Sequence, residues 1–219
     1  MSTGRLEAFS DGVFAVAITL LVLDLKVAGP GTRSSSLAHQ LVHAWPAYAT
    51  YVVSFMVIGI IWVNHHTLFV SVVHIDRTLL FLNLLLLMFV TVIPFPTVLF
   101  ADYLRSGGWD AKVAAAAYGG VMEAMGLSFS AVFWWIGTHP ELLGDPRTPA
   151  IQRRAMRQFG LGSVVYLGTI GLSFISAPVA LAAHFAIAVF YVVDRTAATA
   201  RGDGLGAVEG PEAEPRDDQ

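Results

Sequence analysis

The 219-residue sequence contains no cysteine, which excludes disulfide bonds, thiolate catalysis and cysteine-ligated metal sites. Charged residues are also scarce, because Asp, Glu, Lys and Arg make up only 13% of the chain and the formal net charge is −3. Nothing in this pattern is typical of nucleic-acid binding, so no nucleic-acid partner is expected. The chain is instead 55% hydrophobic, with a mean hydropathy of +0.64. This composition predicts an integral membrane protein.

Six windows are apolar enough to be membrane spans, each of which needs about 20 mainly apolar residues. They lie at about 8–25, 44–63, 78–101, 111–136, 158–176 and 178–193. Only the Ser176-Ala177-Pro178 break separates the last two, which could form a helical hairpin or one kinked unit. We therefore expect an all-α membrane domain with six transmembrane helices over residues 1–196. Residues 197–219 are rich in Gly, Pro, Asp and Glu and predict a disordered acidic tail.

Lysine and arginine are unequally distributed between the two sides of the membrane. With the N-terminus in the cytoplasm, nine of the thirteen basic residues fall on the cytoplasmic side and four on the outer side. Cytoplasmic loops carry the excess of Lys and Arg in membrane proteins. We therefore expect a multi-pass protein, embedded in membrane lipids, with both termini in the cytoplasm.

Polar and ionisable groups occur near the expected inner ends of the first three spans. In chain order they are Arg5, Ser10, Asp11, Asn64, His65, His66, Asp76, Arg77 and Asn83. Ionisable groups at this depth are costly unless they are paired or face water, and a buried carboxylate needs hydrogen-bond partners. We expect a polar network that joins the inner ends of these spans. The alternative is that each side chain extends separately to the membrane interface.

The histidines do not show the spacing of a metal site. His65 and His66 are adjacent and therefore point in different directions on a helix, and His74 is eight residues from His66. Ligands on one helix face are separated by three or four residues. We expect no metal or other cofactor and, since no nucleophile–base pair is evident, no enzymatic activity. A pH-sensing role for His65 or His66 remains open.

A stripe of small and apolar residues runs along the first span, where positions three and four apart share a helix face. Its members are Gly12, Val16, Thr19, Leu20 and Leu23, which extend about 16 Å along the axis. Such a stripe is typical of helix packing as well as of an ion pathway. Polar residues open the span and Asp24 closes it, and acidic groups at both mouths of a pore favour cations. The Thr-Val-Gly-Tyr-Gly filter loop of ordinary potassium channels is absent.

Three segments together resemble one membrane-protein family. The segment Arg5-Leu6-Glu7-Ala8-Phe9-Ser10-Asp11 resembles the Arg-x-x-x-Phe-Ser-Asp signature of the transmembrane protein 175 family, the endosomal and lysosomal potassium channels and their bacterial relatives. Residues 62–69 resemble the family's Trp/His-His segment, and residues 76–96 resemble its third span. The similarity covers about the first half of the chain, whereas the second half matches only in its hydrophobic layout.

The resemblance implies a six-span subunit, four copies of which form a homotetramer around a pore lined by the first helices. It places an apolar constriction at Val16, Leu20 and Leu23 and the pore threonine at Thr19. At the first constriction position this sequence has Val16, where the family often has isoleucine or leucine. It also implies that the interhelical network consists of Arg5, Ser10, Asp11, His65, His66 and Asn83.

Together with these patterns, the resemblance implies a potassium-permeable cation channel of a bacterial inner membrane, with permeant potassium ions, Asp24 at one pore mouth and no loop-type filter. The alternative is a proton-coupled transporter in which Asp11 and His65 or His66 form a proton relay. That alternative predicts substrate-dependent proton flux with saturable turnover.

Overall fold

The computed structural model describes residues 2–26, 36–144 and 164–200, with side chains up to residue 193. All the regular elements in these ranges are helical, apart from one isolated β-bridge. In chain order the helices are α1 (Thr3–Leu20, continued by a 3-10 turn over Leu21–Asp24), α2 (Leu37–His43), α3 (Trp45–Phe69), α4 (Arg77–Val92), α5 (Pro94–Leu104), α6 (Gly108–Thr138), α7 (Val164–Ser173) and α8 (Ala177–Ala200). A further 3-10 turn, Pro140–Leu142, follows α6.

Four stretches are long and apolar enough to cross a membrane: Thr3–Asp24, Trp45–Phe69, Arg77–Leu104 and Gly108–Thr138. The α7 and α8 segments Val164–Ser173 and Ala177–Val193 are shorter apolar helices. The chain is therefore an all-helical multi-pass membrane protein. Helix α8 continues to Ala200, four residues beyond the expected domain boundary at 196. Residues 158–163 of the fifth expected span and residues 201–219 of the expected tail lie outside the described ranges.

The third span consists of two helices, because two prolines interrupt its hydrogen bonds. Proline has no backbone N–H, so neither Pro94 nor Pro96 can donate to the preceding turn. The α4 helix ends with the Ile93 N–H bonded to the Val90 carbonyl, and α5 begins at Pro94. The Thr97 N–H then donates to the Ile93 carbonyl, so the chain continues as α5 with little loss of helical bonding.

The core lies where α1 and α6 pack on α4 and where α3 and α6 pack on α5. Helix α4 buries Leu79, Asn83, Leu86, Leu87 and Val90, a spacing of three and four residues that defines one helix face. The buried residues of α6 begin with small ones, Ala111, Ala114 and Ala115, which let neighbouring helices approach closely. Helix α1 packs on α3 and α4, so its position is set by the first half of the chain.

The loops at the ends of α3 and α6 are joined at the same end of the bundle. Val72 pairs with Leu143 in the β-bridge, and the backbone N–H of Val73 donates to Leu142 O at 2.9 Å. Asp76 caps α4 by accepting from the Leu79 N–H, and its other oxygen accepts from Trp135 Nε1 at 2.8 Å. These bonds fix the start of α4, the helix that carries Asn83.

Candidate functional site

Helix α1 has one face buried in the subunit and another left open. Its buried residues are Leu6, Ser10, Phe14, Ala17 and, in the following turn, Leu21. This spacing of three and four residues gives α1 a single packing face against α3 and α4. The residues of the predicted stripe all lie outside this face and are exposed. Packing within one subunit therefore does not account for the stripe.

The open face is apolar, with one hydroxyl group. Val16 is 55% exposed, Leu20 40% and Leu23 64%, and Gly12 and Thr19 are exposed on the same face. The Thr19 hydroxyl donates to a carbonyl of the preceding turn, since Oγ1 lies 2.9 Å from both Ala15 O and Val16 O. Its proton is thus committed to the helix backbone, and the oxygen remains available as an acceptor. This arrangement suits contact with a cation rather than with an anion.

A buried hydrogen-bonded chain links α1, α4 and α3 at one end of the bundle. Ser10 Oγ donates to Leu6 O at 2.9 Å, Asn83 Nδ2 donates to Ser10 Oγ at 3.0 Å, and His65 Nε2 lies 2.8 Å from Asn83 Oδ1. All three bonds form together only if Nε2 carries the imidazole proton. No described residue bonds to His65 Nδ1. The hydrogen-bonded chain therefore requires a proton on Nε2 of His65.

The remaining polar residues predicted for this network have other positions. Asp11 Oδ1 accepts from Trp62 Nε1 at 2.9 Å, and His66 Nδ1 lies 2.8 Å from Glu7 Oε1. Both contacts join α1 to α3, like the buried chain, but they are more exposed. The side chain of Arg5 is exposed and bonds to no residue within the described ranges. The structure thus brings Ser10, His65 and Asn83 into one chain and places Asp11 and His66 beside it.

Asp24 ends the 3-10 turn after α1 and lies 4.0 Å from Lys26 Nζ. It lines a cavity of about 430 Å³, together with residues of α2, α3 and α5 that include Asp102 and Arg105. Arg105 Nη1 contacts His43 Nδ1 and donates to the His43 carbonyl oxygen at 2.7 Å. The end of α1 opposite the buried chain is thus surrounded by charges of both signs.

Two further buried polar contacts were not predicted from the sequence. Ser54 Oγ lies 2.8 Å from Thr97 Oγ1 and 3.0 Å from Tyr118 Oη, which joins α3, α5 and α6. His184 of α8 lies 3.3 Å from Thr169 Oγ1 of α7, and its Nδ1 lies 2.8 Å from Ala180 O. A Ser, Thr or Tyr within an apolar helix carries no strong sequence signal. Only the packing of the helices shows that these groups are partners.

Glu123 is a buried carboxyl residue in α6 that the sequence patterns did not single out. It lies one helical turn beyond Gly119, whose added Cβ would lie 3.0 Å from Ile170 Cγ1 of α7. The α6 face that carries Glu123 therefore points towards α7. Among the described residues, no group of three or more His, Asp or Glu side chains could hold a metal ion.

Comparison with known proteins matches both halves of the chain. The model of the family described as endosomal/lysosomal potassium channel TMEM175 matches residues 5–94. A potassium channel of Streptomyces collinus is 54% identical over 193 residues, which cover 86% of this chain and 91% of that protein. The chain belongs to the TMEM175 family. The resemblance seen in the three sequence segments is confirmed, and the relationship extends well beyond them.

Other members of the TMEM175 family show how far the relationship reaches. A potassium channel of Chamaesiphon minutus is 38% identical, covering 87% of this chain and 94% of that protein. The crystal structure of a lysosomal potassium-selective channel TMEM175 homologue from Chamaesiphon minutus is similar with a TM-score of 0.79 at 37% identity, over 88% of this chain and 97% of that chain. The human endosomal/lysosomal proton channel TMEM175 is 40% identical over 101 residues, 43% of this chain but only 20% of that protein.

Proposed function

We propose that the chain is one subunit of a potassium-permeable channel and that the open face of α1 lines its pore. The observation that supports this proposal is the exposure of Val16, Leu20 and Leu23 on a helix whose opposite face is fully packed. Relatives of nearly equal length, at 54% and 38% identity, are named potassium channels. The open face of α1 supplies only one wall, so other copies of the chain are needed to complete a pore. We propose a homotetramer.

The pore selects ions without a filter made of a backbone loop. In a tetramer each stripe position gives a ring of four side chains, and the rings of Val16, Leu20 and Leu23 form an apolar constriction that dewets unless an ion is conducted. The ring of Thr19 places four acceptor oxygens between them, since each hydroxyl proton points to its own helix. These oxygens replace part of the hydration shell of a potassium ion.

The proposed subunit has six membrane spans, with α7 and α8 completing the four long ones. Both termini lie in the cytoplasm of a bacterial cell whose inner membrane holds the protein, because nine basic residues fall on that side against four outside. In this orientation the chain of Ser10, Asn83 and His65 lies at the cytoplasmic end of α1, and Asp24 lies at the outer mouth.

Recording from purified protein in planar bilayers with potassium and sodium gradients tests the proposal. We expect cation current with a reversal potential set mainly by potassium, and we expect Leu20→Ala and Leu23→Ala to increase leak or reduce selectivity. Val22→Ala is the matched control, because Val22 is 49% exposed in the 3-10 turn that also carries Leu23 but lies outside the stripe. Absence of current, chloride selectivity, or equal effects of all three variants would contradict the assignment of the pore face.

The Thr19 ring has its own matched pair of variants. Thr19→Val removes the hydroxyl at nearly constant volume and should lower the preference for potassium over sodium. Thr67 of α3 is half-buried and also donates to a carbonyl four residues earlier, at 2.8 Å, so Thr67→Val controls for loss of such a hydroxyl elsewhere. Unchanged ion preference in Thr19→Val would remove Thr19 from the pathway.

Proton permeation is a second candidate, since the vertebrate relatives matched over 101 residues are named proton channels. The relay proposed for a proton-coupled transporter has no direct bond between Asp11 and either histidine, because Asp11 accepts from Trp62 and His66 contacts Glu7. Bilayer recording with a pH gradient and symmetrical potassium separates the two: a current that reverses at the proton equilibrium potential would favour protons. Saturable, substrate-dependent proton flux in liposomes would favour the transporter.

A further inference from the structure

A second polar cluster lies on the last two helices and not on α1. It contains His184 of α8 and Thr169 of α7, whose residues are 0% and 4% exposed. Each lies near the middle of an apolar helix, Ala177–Val193 for His184 and Val164–Ser173 for Thr169. An ionisable side chain at such a depth is costly and marks a functional site. None of the predicted pore positions belongs to this cluster, so the pore does not account for it.

Both ring nitrogens of His184 have a polar neighbour. Nδ1 lies 2.8 Å from the Ala180 carbonyl oxygen, and because a carbonyl can only accept, Nδ1 carries a proton. Nε2 lies 3.3 Å from Thr169 Oγ1. The Thr169 hydroxyl donates to the Tyr166 carbonyl oxygen at 2.7 Å, so its single proton is committed to that bond. Thr169 therefore presents Nε2 with a lone pair and not with a proton.

A further proton on Nε2 completes this set of bonds without moving a helix. The imidazolium form donates from both nitrogens, from Nδ1 to Ala180 O and from Nε2 to Thr169 Oγ1, and the Thr169 hydroxyl keeps its bond to Tyr166 O. In the neutral form two acceptors, Nε2 and Oγ1, face each other unless Thr169 gives up that bond. The site is therefore arranged to accept one proton at Nε2.

Aromatic rings and a carboxyl residue lie on two sides of this site. The Tyr118 ring of α6 meets the His184 imidazole edge to face, with centroids 5.1 Å apart, and the Tyr166 ring of α7 lies at 5.8 Å. Tyr191 of α8 and Glu123 of α6 both interact electrostatically with Tyr166. Tyrosine rings within about 6 Å and a neighbouring carboxylate favour a positive charge. These groups therefore support the imidazolium form.

The other walls of the site are neutral. Gly119 of α6 faces the imidazole, since a Cβ added there would lie 3.8 Å from His184 Nε2. Helix α3 also packs on α8 and contains no Asp, Glu, Lys or Arg, and Tyr48 is its titratable residue in the groove that the two helices share. Helix α6 has one basic residue, Lys112, about 10 Å along the axis from Gly119. Residues 164–193 contain no Lys or Arg that could repel the charge.

We propose that His184 is a proton-binding site in the interior of the membrane domain, distinct from the pore. Water supplies the proton, which binds at Nε2 and is donated to Thr169 Oγ1. The bound proton ties α8 to α7, and α8 also packs on α3, the helix that holds α1. The site therefore links acidification to helix packing outside the pore, and it does not depend on which face of α1 lines the pore.

Nitrogen-15 NMR of the histidine-labelled, full-length protein in lipid tests the proposal, because the shifts of the two ring nitrogens report which of them carries a proton. Spectra are recorded from about pH 4 to about pH 9, which brackets the ordinary pKa of histidine. His184→Gln assigns the signals by their loss. We expect Nδ1 to stay protonated throughout and Nε2 to gain a proton as the pH falls. A proton on Nε2 with a bare Nδ1 at high pH, or no change in protonation over this range, would overturn the proposal.

Two variants of α7 separate the assigned bond from general packing. Thr169→Val removes the acceptor of the Nε2 proton at nearly constant volume and should lower the proton affinity of His184 about tenfold, or about one pH unit. Ser173→Ala is the matched control, because Ser173 is a fully buried hydroxyl residue one helical turn further on that donates to Thr169 O at 2.9 Å. It should change the proton affinity by less than about twofold. An unchanged affinity in Thr169→Val, or equal shifts in the two variants, contradicts the proposal.

Discussion

Replacement of Asn83 by leucine tests the hydrogen-bonded chain that joins α1, α4 and α3. The substitution removes two buried bonds, from Asn83 Nδ2 to Ser10 Oγ at 3.0 Å and from His65 Nε2 to Asn83 Oδ1 at 2.8 Å. Ser10 keeps its own bond to the Leu6 carbonyl, so it loses only an acceptor role, about 0.6 kcal/mol for an average bond between membrane helices. His65 is left with a buried N–H and no acceptor, which costs about 1–3 kcal/mol.

The expected loss for Asn83→Leu is therefore about 1.6–3.6 kcal/mol of the free energy of unfolding. Reversible unfolding in mixed detergent micelles, followed by the helical circular dichroism signal, measures it. Asn64→Leu is the matched control, because Asn64 is an equally buried amide of the same bundle whose Oδ1 has no partner among the described residues. In lipid-free micelles we expect Asn64→Leu to cost less than about 0.5 kcal/mol or to stabilise the protein.

A double-mutant cycle measures the interaction between His65 and Asn83 directly. His65→Phe keeps an aromatic ring stacked on Phe69, where the ring centroids are 4.2 Å apart, and removes the donor that Asn83→Leu leaves unsatisfied. The double variant should therefore lose about 1–2 kcal/mol less than the sum of the two single variants. Additive losses within about 0.3 kcal/mol would show that His65 and Asn83 do not interact, and the assigned chain would be wrong.

Two other contacts give simple stability predictions in the same assay. Gly119→Leu should destabilise the protein by about 1–3 kcal/mol, because a Cβ added at Gly119 would lie only 3.0 Å from Ile170 Cγ1. Gly126→Leu, where an added Cβ meets nothing within 4 Å, should be neutral or slightly stabilising. Equal effects of the two variants would argue against the close packing of α6 on α7. Asp76→Ala should cost about 2 kcal/mol through loss of the α4 cap and of the Trp135 bond. Asp76→Asn keeps a capping oxygen and should cost about half as much, so identical losses would contradict the capping role.

Much of the membrane architecture could be predicted from local sequence properties. Hydrophobic windows of sufficient length predict helices because every backbone polar group in a bilayer must be bonded within its own segment. The four long spans found in the structure fall on windows identified this way. The break at Pro94 and Pro96 follows from the missing N–H groups of proline. Membership of the TMEM175 family could also be predicted from the sequence, because the family signature is a short continuous segment.

The candidate site shows where such prediction stops. The spacing of Val16, Thr19, Leu20 and Leu23 places them on one face of α1 whatever surrounds the helix. Whether that face is buried or open depends on which neighbouring helices pack against α1, and only the structure shows that α3 and α4 cover the opposite side. A stripe of apolar residues has the same sequence in either case.

The polar network shows most clearly what the sequence determines and what the tertiary structure decides. The sequence by itself determined that Ser10, Asp11, His65, His66 and Asn83 lie near the same ends of three apolar helices, because helix length and rise fix their depth. Only the tertiary structure decided the pairing, since the rotation of each helix about its axis sets which side chains meet. That rotation follows from packing of the whole apolar face, summed over many weak contacts, and no single residue in the sequence specifies it. It brings His65 to Asn83 and Ser10, turns Asp11 to Trp62, and leaves the apolar stripe of α1 open.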